Sequence, residues 1–182
     1  MSKQKKTTQI NQSEEIKKQI IDFTVQGVKR FLKENPNLEF YAFAFDCNAE
    51  YAEVNLCLNT ELDFQETLKY YQTGESSKYY KSEQDIIGLK FNTGDWKYQC
   101  FDTLYVFTDK ELTEISKELP DDEYKSWNIF IRNLLELFTE SLFEFTKTET
   151  YKKIPKSKDF IAFCIDHDED FEQAMERLEN YK

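Results

Sequence analysis

The sequence predicts an α+β fold in which a mainly antiparallel sheet is packed by helices. Residues 39–60 have the pattern of a β-hairpin that seeds the sheet, and two long segments near 13–34 and 121–146 have helical spacing. Only 4 Gly and 3 Pro occur in 182 residues, which favours ordered elements joined by short loops. We therefore expect a single α+β domain over residues 13–182, preceded by a flexible tail over residues 1–12.

The hairpin is predicted from two apolar segments that flank a turn centred on Asn48 and Ala49. The predicted cross-strand pairs on one face are Phe45 with Ala52, Phe43 with Val54 and Tyr41 with Leu56. The other face would carry smaller and more polar side chains, among them Ala42, Ala44 and Asp46. This pattern indicates one face on a core and one face partly open to solvent or to a partner.

The first helix is predicted to begin after Ser13, a good N-cap, and to end at Asn35-Pro36. Its apolar residues recur every three or four positions and form one stripe: Ile16, Ile20, Phe23, Gly27 and Phe31. We expect this stripe to pack on the bulky face of the hairpin.

The middle of the chain contains one clear helix and one ambiguous segment. Thr60 to Asp63 resembles a capping box, so a short helix is expected from there to Tyr71, with Gly74 as its stop. Residues 75–84 are interpreted as a loop. Beyond them, residues 86–91 are strand-like, 92–95 turn-like, and 96–107 either strand or irregular.

The second half of the chain opens with another capping box, Thr108 to Glu111, which predicts a helix that ends before Pro120. The longest helix is predicted over 121–146. A basic loop is expected over 148–158, and the uniformly apolar segment 160–165 suits an interior strand covered on both faces. The acidic run Asp166–Glu172 would then open a final helix, because negative charge is favourable at a helix N-terminus.

The net charge of −11 is unevenly distributed along the chain. Residues 1–38 carry eight basic and four acidic side chains, so the other 144 residues carry 16 basic and 31 acidic ones. A body this acidic repels phosphate backbones, which argues against nucleic acid as a partner. A basic protein partner is compatible with the charge, and so is a solvated acidic surface without a partner.

The four cysteines form no CxxC pair and have no zinc-ligand spacing with the single histidine. Reduced, buried thiols in a cytoplasmic protein are the expected state. No apolar run has the length of about 20 residues needed to span a bilayer, so no membrane association is predicted.

Catalytic and cofactor motifs are sparse. A Cys–His dyad would have to use His167. Cys164 is a poor partner because it points to the opposite face of the same strand, so the cysteine would be Cys47, Cys57 or Cys100. The acidic run after Cys164 lacks the Gly and Glu of a calcium loop, and P-loop, GxGxxG, GxSxG and HExxH motifs are absent. We assign no catalytic residue, no metal site and no cofactor.

Aromatic residues with polar tips cluster around the predicted loop at 75–84. The candidate partner-binding residues are Tyr70, Tyr71, Tyr79, Tyr80, Asp95 and Trp96. Tyr and Trp beside acidic groups would suit recognition of a basic protein, whereas the alternative is a role at the edge of the core.

Three segments resemble a bacterial family catalogued as domain of unknown function 4303. They are the hairpin, the Leu89–Trp96 stretch, and the closing Phe160–Asp166 strand with its acidic helix. The resemblance implies an α+β domain and an association with small acidic proteins kept beside polymorphic toxins. It implies no catalytic residues, because the family has none assigned.

These observations lead to one functional hypothesis and two alternatives. We expect a non-enzymatic cytoplasmic protein-binding module, an immunity protein that neutralises a basic toxin. The alternatives are a hydrolase-like enzyme with an unrecognised carboxylate or cysteine site, and a self-associating module that uses the small-residue face of the hairpin. The sequence predicts no oligomeric state.

Overall fold

A computed structural model describes residues 3–73 and 79–181, with side chains from residue 13 onward, and places one four-stranded sheet between two helical layers. The strands are β1 (Phe40–Asn48), β2 (Glu53–Asn59), β3 (Tyr98–Tyr105) and β4 (Lys156–Asp166). Their order across the sheet is β3-β2-β1-β4. β1–β2 and β2–β3 are antiparallel, whereas β1–β4 is parallel. The sheet is mixed and mostly antiparallel, so the predicted α+β class is confirmed.

The helices of the described residues are α1 (Lys3–Glu34), α2 (Glu61–Thr73), α3 (Glu83–Lys90), α4 (Asp109–Glu118), α5 (Lys125–Thr146), α6 (Glu149–Lys152) and α7 (Phe171–Glu179). The capping box predicted at Thr108 is formed, with Glu111 as its acidic partner. At Thr60 the hydroxyl accepts from the Asp63 backbone N–H and donates to the Asp63 carboxylate, so the predicted cap is present through the side chain of Thr60. Gly74, the predicted stop of α2, lies outside the described residues. No helix among the described residues is both long enough and apolar enough to cross a bilayer.

Two predicted helix starts are wrong. α1 begins at Lys3, so the predicted tail is helical from that residue and Ser13 lies inside the helix. Lys and Gln favour helices, and no Gly or Pro interrupts this segment. α5 begins only at Lys125, because Glu123 and Tyr124 have positive φ angles of 55° and 68°, which a helix does not allow.

The hairpin register differs from the predicted one, although the set of residues on each face is largely preserved. Phe45 pairs with Leu56 and Phe43 with Leu58. The connection is a four-residue loop, with a 3₁₀ turn over Ala49–Tyr51 and Ala52 in the left-handed region. Because the register shift is even, the side chains keep their predicted faces. Phe40, predicted on the small-residue face, and Tyr41, predicted on the bulky face, are the exceptions, because each lies on the opposite face. An irregularity in the β1–β4 pairing lies between Phe40 and Ala42.

The bulky face packs as predicted against α1, and α5 completes this layer. Ile20, Val28 and Phe31 of α1 and Phe138, Leu142 and Phe145 of α5 contribute to a single apolar cluster with Phe43 and Phe45. Each fully buried Phe or Leu contributes about 1.5–3 kcal/mol relative to an exposed side chain.

The face predicted to be partly open is covered. Ala42, Ala44 and Cys57 are fully buried beneath a second apolar cluster. The helices α2, α3 and α7 contribute Phe64, Leu89, Ala174 and Leu178 to that cluster, and the segment before β3 contributes Trp96. Small side chains on this face allow the helices to approach the sheet closely.

The ambiguous segment resolves into a helix, a turn and a strand. The predicted strand at 86–91 is wrong, because these residues lie in or next to α3. Ser82 and Asp85 form a capping box that fixes the start of this helix. The turn expected at 92–95 is a 3₁₀ turn over Thr93–Asp95, and the strand alternative for 96–107 is confirmed by β3.

The closing strand occupies the edge of the sheet, so its predicted interior position is wrong. The predicted coverage of both faces of this strand is confirmed, because side chains of β4 belong to the apolar clusters on either side of the sheet. Cys164 points to the α1/α5 layer, whereas Phe163 and Ile165 belong to the second cluster. The predicted basic loop is shorter than expected, since α6 and the start of β4 fall within 148–158.

Candidate functional site

A concave surface lies between the C-terminal half of α2 and the segment that leads into β3. Its volume is about 420 Å³. We call it the tyrosine groove, and its lining residues are Asp63, Glu66, Thr67, Tyr70, Tyr71, Gly94, Asp95, Trp96, Lys97 and Gln99. Four of the six predicted partner-binding residues therefore line one groove.

Asp95 holds the groove together through both of its carboxylate oxygens. The Tyr71 hydroxyl donates to Oδ1 at 2.7 Å, and the Asn92 side-chain amide donates to Oδ2 at 2.6 Å. The hydrogen bond to this carboxylate raises the pKa of Tyr71 to about 12. Tyr71 therefore remains a neutral donor at physiological pH, and Asp95 acts chiefly by positioning it.

Two of the other predicted tyrosines pack against Tyr71. Tyr70 is 74% exposed, and its ring packs against Tyr71 with centroids 5.5 Å apart. Tyr80 packs on the other side of Tyr71 at 4.9 Å, and Gln72 donates to the Tyr80 carbonyl oxygen. Tyr79 is 59% exposed. The structure thus brings Tyr70, Tyr71 and Tyr80 together, with Tyr70 the most exposed of the three.

The prediction for Trp96 is corrected. Its side chain is 2% exposed, and its indole Nε1 donates to the Lys90 carbonyl oxygen at 2.9 Å. The ring makes edge contacts with Tyr41 and Phe163 in the second apolar cluster. Trp96 supports the floor of the groove, and its ring is not accessible to a partner.

Negative charge dominates the groove. Among the described residues that line it, Asp63, Glu66 and Asp95 are acidic and Lys97 is basic. On the same helical layer, a cleft between α3 and α7 adds the carboxylates of Glu83, Asp170 and Glu172 next to the exposed side chain of Ile87. This side of the protein therefore combines carboxylates with exposed apolar and aromatic groups.

A second group of side chains lies on the sheet face beneath the α2/α3/α7 layer. Potential ligand atoms of Asp46 in β1, Cys57 in β2 and Cys100 in β3 all lie within 4.8 Å of one another. We call this group the thiol–carboxylate cluster. The backbone N–H of Cys100 donates to the Cys57 sulfur at 3.2 Å. Cys100 is exposed, which corrects the prediction that all four thiols are buried.

Backbone irregularity places Cys100 beside Cys57. Leu56 pairs with Asp102 and Leu58 with Tyr98, so three residues of β3 lie opposite the single residue Cys57. Cys100 has a φ of 46°, in the left-handed region that non-glycine residues seldom adopt. Bulges of this kind redirect side chains and occur often near functional sites.

The electrostatics of the cluster differ from one member to the next. Burial raises the pKa of Asp46, although a hydrogen bond with Thr93 and the charge of His167 oppose this. A hydrogen bond with Cys57 lowers the pKa of the Cys100 thiol, whereas the same bond and burial raise that of Cys57. Cys100 is thus the more acidic thiol of the two.

The remaining cysteines form a separate pair. The sulfurs of Cys47 and Cys164 lie 3.6 Å apart, both buried on the α1/α5 side of the sheet. His167 is exposed at the end of β4, and its backbone N–H donates to the Cys47 carbonyl oxygen. The Cys47 side chain is buried in the α1/α5 core, whereas His167 is exposed.

The acidic run at 166–172 makes structural contacts. Asp166 accepts from the Ala49 backbone N–H at 2.9 Å, and Asp170 is the N-cap of α7. Glu169 forms an ion pair with Arg177. These contacts confirm the interpretation of this run as the start of the final helix.

Two of the three residues of the thiol–carboxylate cluster are predictable from the sequence. Strand alternation already places Asp46 and Cys57 on one face of the hairpin. Cys100 carries no such signal, because its position depends on the β3 bulge.

These features define the class of the protein: an α+β protein with a helix-covered mixed sheet and an acidic, tyrosine-lined groove. The family model described as Domain of unknown function (DUF4303) matches residues 20–180, nearly the whole chain. The chain belongs to this family. Neither curated proteins nor solved structures gave a significant match.

Proposed function

We propose that this protein is a non-enzymatic protein-binding module of the bacterial cytoplasm. Its partner would be a basic protein that docks on the tyrosine groove, and its role would be that of an immunity protein neutralising a basic toxin domain. The observation that carries the proposal is the groove itself, where exposed tyrosine rings stand among carboxylates.

The aromatic part of the groove has the properties of an interface anchor. Tyrosine supplies a large contact area and a polar tip, and it loses little conformational entropy because its ring has few rotatable bonds. Tyr71 and Tyr80 hold one another by ring packing, and Asp95 fixes the Tyr71 hydroxyl. A partner therefore meets a preorganised surface, which lowers the entropic cost of association.

The charge of the groove selects the partner. Of the described lining residues, Asp63, Glu66 and Asp95 are acidic and Lys97 is basic, and the whole chain carries a net charge of −11. An acidic surface accelerates encounter with a basic protein and disfavours acidic competitors. This attraction weakens as salt screens the exposed charges.

The test is capture of a partner from the native cell, followed by binding measurements with purified proteins. Wild-type protein should retain one basic protein at low salt and release it as salt rises. Tyr70→Ala should weaken binding of that purified protein by at least about 10-fold, because a central aromatic anchor is lost. Tyr51→Ala is the matched control, since Tyr51 is 57% exposed at the hairpin tip and outside the groove.

The immunity role has its own readout. The captured protein, expressed alone, should arrest growth, and co-expression of the wild type should restore it whereas Tyr70→Ala should restore it less well. Equal binding by wild type and Tyr70→Ala would contradict the proposed groove. A captured protein without toxicity would contradict the immunity role.

A second candidate function, a hydrolase with a cysteine nucleophile, is favoured by one observation. Cys100 is exposed, and its pKa is lowered by the hydrogen bond with Cys57. Thiolate character is what a nucleophile requires. Ester or amide hydrolysis that is abolished by Cys100→Ala would support this function, and unchanged hydrolysis would contradict it.

The self-associating alternative has no support in this fold. The small-residue face of the hairpin is covered by α2, α3 and α7, and Ala42 and Ala44 are fully buried. A second copy of the chain cannot contact Ala42 or Ala44 without displacing those helices.

A further inference from the structure

The thiol–carboxylate cluster contains donor atoms from three different strands on one face of the sheet. Asp46, Cys57 and Cys100 come from β1, β2 and β3, and their potential ligand atoms lie within 4.8 Å of one another. In a tetrahedral zinc site, neighbouring ligand atoms are about 3.5–4 Å apart, as bond lengths of about 2.0–2.3 Å require. Small rotations of the side chains would therefore bring the three donors around one ion.

The chemistry of the donors selects the kind of ion. Two sulfurs favour a soft or borderline cation, whereas magnesium and calcium bind all-oxygen sites. Two thiolates and one carboxylate carry three negative charges, which a divalent cation would largely neutralise. Each thiol loses its proton to solvent on coordination.

We propose that Asp46, Cys57 and Cys100 form a binding site for a divalent zinc-like cation. The ion would link the three strands at the β3 bulge, with a water molecule or the His167 imidazole as fourth ligand. His167 is the first residue after β4 and lies in a turn, and its charge acts on the Asp46 carboxylate, which makes the imidazole a candidate for the fourth position.

Access from solvent distinguishes this cluster from the other thiol pair. Cys100 is exposed and Asp46 is half-buried, so an ion can reach the donors. Cys47 and Cys164 are both 1% exposed within the α1/α5 core. They provide an internal control, because their sulfurs are also close together but are sealed from solvent.

The experiment uses the full chain, stripped of metal and kept reduced by a reductant without thiols. Zinc is titrated in competition with a chromophoric chelator, and cobalt is added separately as a spectroscopic probe. The wild type should bind one ion per chain and show thiolate-to-cobalt charge-transfer absorption. Cys100→Ser should weaken zinc binding by more than about 100-fold, since a direct ligand is lost.

Two further variants complete the test. Asp46→Asn should also weaken binding, and it keeps a side chain able to hydrogen-bond with Thr93. Cys47→Ser should bind zinc as the wild type does. Absence of zinc binding by the wild type, or wild-type binding and charge-transfer absorption in Cys100→Ser, would overturn the proposal. Coordination would also occupy the Cys100 thiolate, so a metal site excludes Cys100 as a free nucleophile.

Discussion

Gly27 and Gly88 both lie within helices, but their surroundings differ sharply. A Cβ at Gly27 would come within 2.7 Å of Asp102 Oδ2 and 2.8 Å of Leu56 Cδ1, whereas a Cβ at Gly88 would meet nothing within 4 Å. We predict that Gly27→Ala lowers the free energy of unfolding by about 1–3 kcal/mol through overpacking. Gly88→Ala should raise it by about 0.5–1 kcal/mol, because Ala favours the helix.

Urea denaturation of both variants measures this contrast. Each variant serves as the control for the other, since the chemical change is identical. A stabilising Gly27→Ala would contradict the close approach of α1 to β2 and β3.

At the residue scale, the sequence separates core from surface only partly for aromatic side chains. Tyr70 and Trp96 appear equivalent, since both are aromatic and have polar tips. The difference arises from their backbone positions, because Trp96 can donate to the Lys90 carbonyl oxygen while its ring packs on Phe163. The hydrogen bond to Lys90 depends on the position of α3. This helix was not predicted, because the pattern of its residues resembles that of a strand.

Arg177 joins three elements at the edge of the sheet. It pairs with Glu169, and it donates to the Cys164 carbonyl oxygen at 2.9 Å and to Thr139 Oγ1 at 3.0 Å. Its side chain is only 10% exposed and that of Glu169 20%. We predict that Arg177→Ala lowers the free energy of unfolding by about 3–5 kcal/mol, because a largely buried carboxylate loses its partner.

Arg132→Ala is the matched control, since Arg132 is an exposed residue of α5 that lines the groove between α5 and α7. It should change stability by no more than about 0.5 kcal/mol. Thermal or urea unfolding compares the two. Equal effects would show that the Arg177 contacts do not hold α7 to the sheet.

The start of α4 should depend on pH. The backbone N–H and the hydroxyl of Thr108 both donate to the Glu111 carboxylate, which lowers the pKa of Glu111 below its ordinary value. The stabilisation is complete above the unfolded pKa of about 4.3 and is lost as pH falls through the lower folded pKa.

NMR of the Thr108 amide across the acid range measures this loss. Glu111→Gln should abolish the titration while keeping an acceptor in place. A Thr108 amide that is insensitive to pH in the wild type would contradict the capping box.

At the element scale, features set by residues close in sequence, such as helix starts, are predicted better than features set by distant residues, such as strand register and strand order. Thr60 and Thr108 announce their helices because the capping partners are three residues away in sequence. The hairpin register is harder to predict from the sequence. A shift of the pairing by an even number of residues leaves the same apolar side chains of β1 and β2 on the same face, so the apolar pattern does not distinguish the two registers. The parallel position of β4 depends on packing against β1 and cannot be read from its own apolar run.

At the scale of the whole molecule, the two faces of the sheet have different uses. The α1/α5 layer covers the bulky aromatic cluster, whereas α2, α3 and α7 carry the carboxylates and tyrosines of the proposed interface. The acidic composition predicted the charge of the proposed partner but not the location of the groove. That location requires α2 and the Thr93–Asp95 turn to meet, which only the folded chain shows.

Hydrogen–deuterium exchange of the protein with and without its captured basic partner tests the central claim most directly. We predict slower exchange of backbone amides in the second half of α2 and in residues 93–99, with the hairpin tip at 49–52 unchanged. Protection confined to other surfaces, such as the groove between α5 and α7, would contradict the tyrosine groove as the binding site.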